Sequence, residues 1–193
     1  MINMPDLIDI PPVYLPYESQ EPFKECLVCG CDLTSGNKDY FVEKAIKNHV
    51  EYGVKDVVFE YAMCTDCAET MQKSMSQESQ QNMQNYFLEH QGFMTKIQKY
   101  QMGEGESVDE ILSKCSISNE STERMEEYMI FGHFRGDKMV ASTMPYIIGG
   151  AAMDEISELL SNQTLGEMND FMGQYFGGPT ELKDLWKGKP VFF

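Results

Sequence analysis

Two Cys-x-x-Cys pairs, Cys26/Cys29 and Cys64/Cys67, carry the strongest chemical signal in the chain. Four thiolates in two such pairs match the demand of a tetrahedral Zn²⁺, which structural sites close with four sulfur or imidazole ligands. In the first pair the trailing Gly30 permits the turn that aims backbone amides at sulfur. The second pair opens a helical pattern, where the positive end of the macrodipole favours thiolate. Cys31 adds a third thiol to the first loop; the spacing favours Cys29 as ligand and leaves Cys31 beside the site, where metal exchange or redox chemistry is its alternative use. Cys115, isolated among apolar residues, reads as a buried thiol.

A closed four-sulfur site stabilises a fold and leaves no open position for a reacting water. No Gly-rich phosphate loop and no Ser/His/Asp set in a recognisable context accompanies it. The competing enzymatic reading is a thiol–disulfide redox protein. Cys64-x-x-Cys67 at a helix start also suits that chemistry, with Pro145 as a cis-proline partner. Against it, the first pair would have no purpose, and no βαβ unit precedes the motif.

The order from residue 24 to about residue 90 is knuckle, hairpin, then a helix bearing the last two cysteines. This order, with Cys26, Cys29, Cys64 and Cys67, resembles a treble-clef zinc finger. That resemblance implies a metal and a local fold but no particular activity, since its members include binding modules and nucleases. The nucleases hold a catalytic metal with histidines of the hairpin and helix. Here His49, His90 and His133 stand elsewhere, each reading as a structural or surface residue. The segment Phe59-Glu-Tyr-Ala-Met-Cys64 is also similar to members of an uncharacterised bacterial family, which brings no activity with it.

These cysteines need elements to hold them. Pro5, Pro11, Pro12, Pro16 and Pro22 crowd residues 1–22, so an extended arm is expected there, either packed along its own domain or docked on a partner. Residues 23–92 form the zinc module, with strands over Tyr40–Ile46 and Val54–Ala62. One helix is expected from Asp66, capped with Glu69, to about His90, its Met and Phe residues on a single face. Residues 93–193 form a C-terminal α+β unit. Gly103–Gly105 break the chain, and Ser107-x-x-Glu110 makes a capping box. Tyr128–Phe134 and Lys138–Thr143 read as a hairpin. Helices follow at Ala151–Leu160 and after a Thr164 cap, and the apolar tail through Trp186 is expected to pack on the body.

The C-terminal unit repeats the order of the first, over roughly residues 115–160. Cys115-Ser-Ile-Ser-Asn119 matches the first knuckle, Glu127-Tyr128 matches Asp39-Tyr40, and Val140–Pro145 matches Phe59–Cys64. On that alignment the zinc ligands have become Ser118, Pro145 and Ile148. The expectation is a degenerate, zinc-less duplicate, with chance similarity as the alternative.

The net charge of −16 is spread along the chain. Four thiolates around Zn²⁺ add about −2 locally, so phosphate backbones are repelled and nucleic acid is excluded as a partner. The expected partner is another protein. No stretch reaches the roughly 18 apolar residues of a membrane span, and Met1–Ile10 lacks the basic start and apolar run of a signal peptide. Six cysteines without an export signal indicate a reducing, cytoplasmic location. The sequence therefore predicts an α+β, cytosolic, non-enzymatic protein built on a structural zinc site.

Overall fold

The computed structural model describes residues 7–35 and 38–177. Trp186 and the rest of the tail, together with Pro5, lie outside those residues. Among the described residues the fold is mixed α and β, six strands in one antiparallel sheet with six helices.

One long hairpin and the strand β4 beside it build the sheet. β2 (Asp39–His49) and β3 (Val54–Cys64) are rich in β-branched and aromatic residues and pair along their length, with a bulge between Ala45 and Ile46. β2 also pairs with β4 (Glu127–Arg135), in register from Asp39↔Arg135 to Lys47↔Glu127. Residues assigned by the sequence to separate units thus share one ladder, and one hydrophobic cluster runs through both. On its far side β4 pairs with β5 (Lys138–Val140) and β6 (Tyr146–Gly149), so the expected hairpin is shorter than Lys138–Thr143 and a further strand lies beside it. β1 (Leu7–Asp9) closes the edge against β5.

The N-terminal segment packs on its own sheet. Pro12–Tyr14 form one helical turn, fixed by the proline φ, that carries Tyr14 inward. The Tyr14 hydroxyl donates to the Phe131 carbonyl at 2.7 Å, and its ring meets Phe134 edge-on. A Cβ on Gly132 would lie 2.9 Å from the Tyr14 ring, which explains a glycine within a central strand. On the same face the buried Lys44 donates to the Leu15 carbonyl at 2.7 Å and pairs with Glu60 at 2.8 Å.

Helices cover the opposite face. α1 (Thr65–Ser74) starts at the end of β3 with Cys64 as its N-cap residue; no side-chain cap is present, so Asp66 does not cap it. The single helix expected to His90 is two. Met75 is extended, and Ser76 caps α2 (Gln77–Glu89) by accepting from the Ser79 amide, a local bond that competes with helix continuation. α3 (Gln91–Gln101), which the sequence reading did not foresee, follows at once and buries Phe93 with Ile111 and Met144. α4 (Val108–Ile111) has the expected Ser107/Glu110 capping box. α5 (Gly150–Glu158) follows β6 directly. α6 (Asn162–Phe176) is capped by Ser161, because Thr164 lies inside its first turn, fully buried.

Matching hydrogen bonds relate the two halves. The first knuckle closes with Cys26 N–H to Cys31 O and Gly30 N–H to Cys26 O, the second with Cys115 N–H to Glu120 O and Asn119 N–H to Cys115 O. Gly30 and Asn119 both take positive φ, +66° and +61°. Each knuckle hangs on its strand the same way, Leu27 N–H to Ala62 O and Ser116 N–H to Ile147 O. The helix pairs meet reciprocally. Ser76 N–H donates to Thr164 Oγ1 at 3.0 Å, Ser161 N–H donates to Ser79 Oγ at 2.9 Å, and the Ser76 and Ser161 hydroxyls touch at 2.8 Å between them. That is a local two-fold relation.

Candidate metal centre

β2 and β3 present the first knuckle to the start of α1, and this brings Cys26, Cys29, Cys64 and Cys67 together. Their four sulfurs all lie within 4.8 Å of one another. Cys29 and Cys64 Sγ are 3.8 Å apart. Sulfurs bound to one ion by bonds of about 2.3 Å in a tetrahedron stand about 3.8 Å apart, so that edge fits a metal ion. The Cys64 amide donates to Cys26 Sγ at 3.4 Å, the kind of backbone bond that orients a ligand sulfur. Cys26 and Cys64 are buried, Cys67 half-buried, and Cys29 exposed.

The electrostatics point the same way. The Cys31 backbone N–H, aided by the Cys31 thiol, lowers the Cys29 pKa to about 6. Burial, reinforced by neighbouring sulfurs, raises Cys67 above the ordinary thiol range and pushes Cys31 up to about 12. Thiolates this close repel one another, and a cation between them relieves that repulsion. A bound divalent ion reverses that balance and deprotonates every thiol it binds.

Cys31 lies beside the cluster and not within it, as its spacing indicated. Lys38 approaches its thiol, which raises the Lys38 pKa, and lies 3.6 Å from Asp66. The histidines keep to other tasks. His49 pairs with Asp56 at 2.9 Å, His90 Nδ1 meets the Tyr86 carbonyl at 2.8 Å, and His133 meets Thr143 Oγ1 at 2.9 Å. Pro145 follows a trans peptide bond and is therefore not the cis-proline of the redox alternative.

The second knuckle holds one cysteine. Gly149 N–H donates to Cys115 Sγ at 3.3 Å, as Cys64 N–H does to Cys26. The positional counterparts of Cys29, Cys64 and Cys67 are Ser118, Gly149 and Ala152, because α5 begins at Gly150 as α1 begins at Thr65. Pro145 and Ile148 are thus the wrong counterparts; alignment on Met144-Pro145 against Met63-Cys64 placed them four residues early. A Cβ on Gly149 would collide with the Met125 sulfur, so a thioether fills the space where a third ligand would enter. Outside the loop, Lys96 Nζ donates to the Ser116 carbonyl and Asn119 Oδ1 and so clamps the turn.

Sequence reasoning missed the hydroxyl cluster of Ser76, Ser79, Ser161 and Thr164. It also missed the Asp39–His133–Arg135 group at one end of the β2–β4 seam. Cap patterns signalled the first faintly, while the second depends on strand register alone. Comparison with protein-family models, curated proteins and solved structures found no match to the chain. Among the described residues no helix is long and apolar enough to cross a membrane.

Proposed function

We propose that the protein is a non-enzymatic, zinc-stabilised binding protein of a reducing compartment, with Cys26, Cys29, Cys64 and Cys67 holding one structural Zn²⁺ in a treble-clef-like module. The observation that carries this is the convergence of four sulfurs, and no other donor type, within 4.8 Å. An all-sulfur set selects a thiophilic ion, and closure by four ligands leaves no site for activated water. All six cysteines are free. The acidic surface directs the protein towards protein partners and away from nucleic acid.

The second half is, on this reading, a duplicate that has lost its ion. Its support is the matched bonding of the knuckles, with Cys115 retained and Met125 sulfur in the gap. The β2–β4 ladder and the reciprocal serine contacts then join sister units.

Native mass spectrometry of the protein from its own cell lysate tests the reading. One zinc per chain, lost together with folded structure on chelation, is the expected result. A folded, metal-free protein whose Cys64 and Cys67 cycle between dithiol and disulfide would replace it with the redox alternative.

A further inference from the structure

The local two-fold relates the junction of α2 with α5 to that of α6 with α1, and the two junctions are finished differently. Asn82 on α2 donates its side-chain N–H to the Leu159 carbonyl at the end of α5, at 2.9 Å. Their counterparts are Glu167 and Ser74. A carboxylate has no proton to donate at neutral pH, so this tie cannot be repeated. The junction is open instead, as a groove of about 240 Å³. Met71, Met75, Met168 and Val28 wall it, and Glu167 and Asp170 stand on its rim.

Both rim residues are exposed carboxylates where the sister junction has the neutral Asn82 and Asn85. They line the groove together with Ser74 and Met75 at the C-terminal end of α1, the negative end of its dipole, where the Met71 and Gln72 carbonyls already accept from Ser74, Met75 and Gln80 and Lys73 pairs with Glu69. None of the described residues lining the groove is basic. Acceptors of one sign above a thioether-lined slot call for a long side chain with an apolar stem and a cationic head. Guanidinium suits this best, because it presents five donors in a plane and is more weakly hydrated than ammonium.

We propose that this groove receives an arginine side chain presented by a partner protein, its stem along the methionines and its head between Glu167, Asp170 and the end of α1. The proposal rests on the metal reading above in one respect. Val28 lies between Cys26 and Cys29, and Met71 lies one turn beyond Cys67, so the ion fixes two of the walls.

The test is a ¹⁵N NMR titration of the full-length, zinc-loaded protein with acetyl-Ala-Arg-Leu-amide and with its citrulline analogue, which keeps the shape and lacks the charge. The expected result is shifts at Ser74, Met75, Glu167 and Asp170, with the citrulline peptide at least tenfold weaker. The E167Q/D170N variant changes only exposed side chains; it should keep the spectrum of the folded protein and lose tenfold or more in affinity for the arginine peptide. Equal binding of the two peptides, unchanged affinity in the variant, or shifts confined elsewhere would overturn the proposal. Binding seen only after deletion of residues 178–193 would also overturn it, assigning the groove to the chain's own terminal segment. Zinc-loaded protein blind to the arginine peptide sinks the groove and leaves the metal site standing. Metal-free protein that binds the peptide sinks the metal reading alone.

Discussion

The cysteines differ in what surrounds them, and the difference sets what each substitution should do. Cys26 and Cys64 are 2% and 1% exposed and share a backbone-to-sulfur bond, whereas Cys29 reaches the surface. Cys64→Ser should abolish zinc binding and unfold the knuckle, read as loss of metal in native mass spectra. Cys31→Ser should keep one zinc per chain, because Cys31 stands outside the cluster. Under slow chelation, Cys29 should be the first ligand alkylated, located by peptide mapping. Much of this site was legible in the sequence, because ligand spacing is a local property that needs no tertiary information. The matching positions of the second knuckle were not. Gly149 and Ala152 have no metal-binding side chain to mark them, and only the start of α5 fixes their register.

At the scale of elements, the sheet was legible and the helices were less so. Alternation and β-branched residues announced β2 and β3, but the Met75–Ser76 break depends on a hydroxyl that the partner helix shares. Register decides the Asp39–His133–Arg135 group at one end of the β2–β4 seam. Arg135 binds both Asp39 oxygens, and its hydrogen bond holds the Asp39 carboxyl below the usual range. Burial lowers the His133 pKa below its ordinary 6.5, outweighing the nearby Asp39. An unfolded chain therefore binds a proton at His133 that the folded chain refuses, and stability is lost as pH falls below about 6.5. Asp39 works in the same direction at lower pH, its contribution present above about 3.9 and lost as pH falls through its folded value. The Tm should thus drop between pH 7 and pH 5, and His133→Gln should flatten part of that drop while the metal centre titrates alike in both proteins. On the other face, Lys44 is 5% exposed at its side chain and bonded to both Glu60 and Leu15. Lys44→Ala leaves Glu60 without its cation and should cost about 3 kcal/mol in chemical denaturation.

For the molecule as a whole, the hydrophobic cluster and the β2–β4 ladder predict one cooperative unit. Chelation should therefore melt both halves in a single transition, seen as coincident loss of near- and far-UV circular dichroism. An ion-free second half that stays folded alone would contradict this. Composition and charge could not reveal that β2 and β4 share a sheet, since strand pairing across such a separation leaves no local mark. The Ser76–Ser161 contact shows what kind of seam this is. An antiparallel strand pair and two reciprocal cap contacts around one axis are how identical subunits meet in a symmetric dimer. Here the axis lies within a single polypeptide, so each side of the seam is free to change without its mate. A dimer of one gene must mutate both faces at once; this chain can gather four cysteines on one side and seat a methionine sulfur at the matching place on the other.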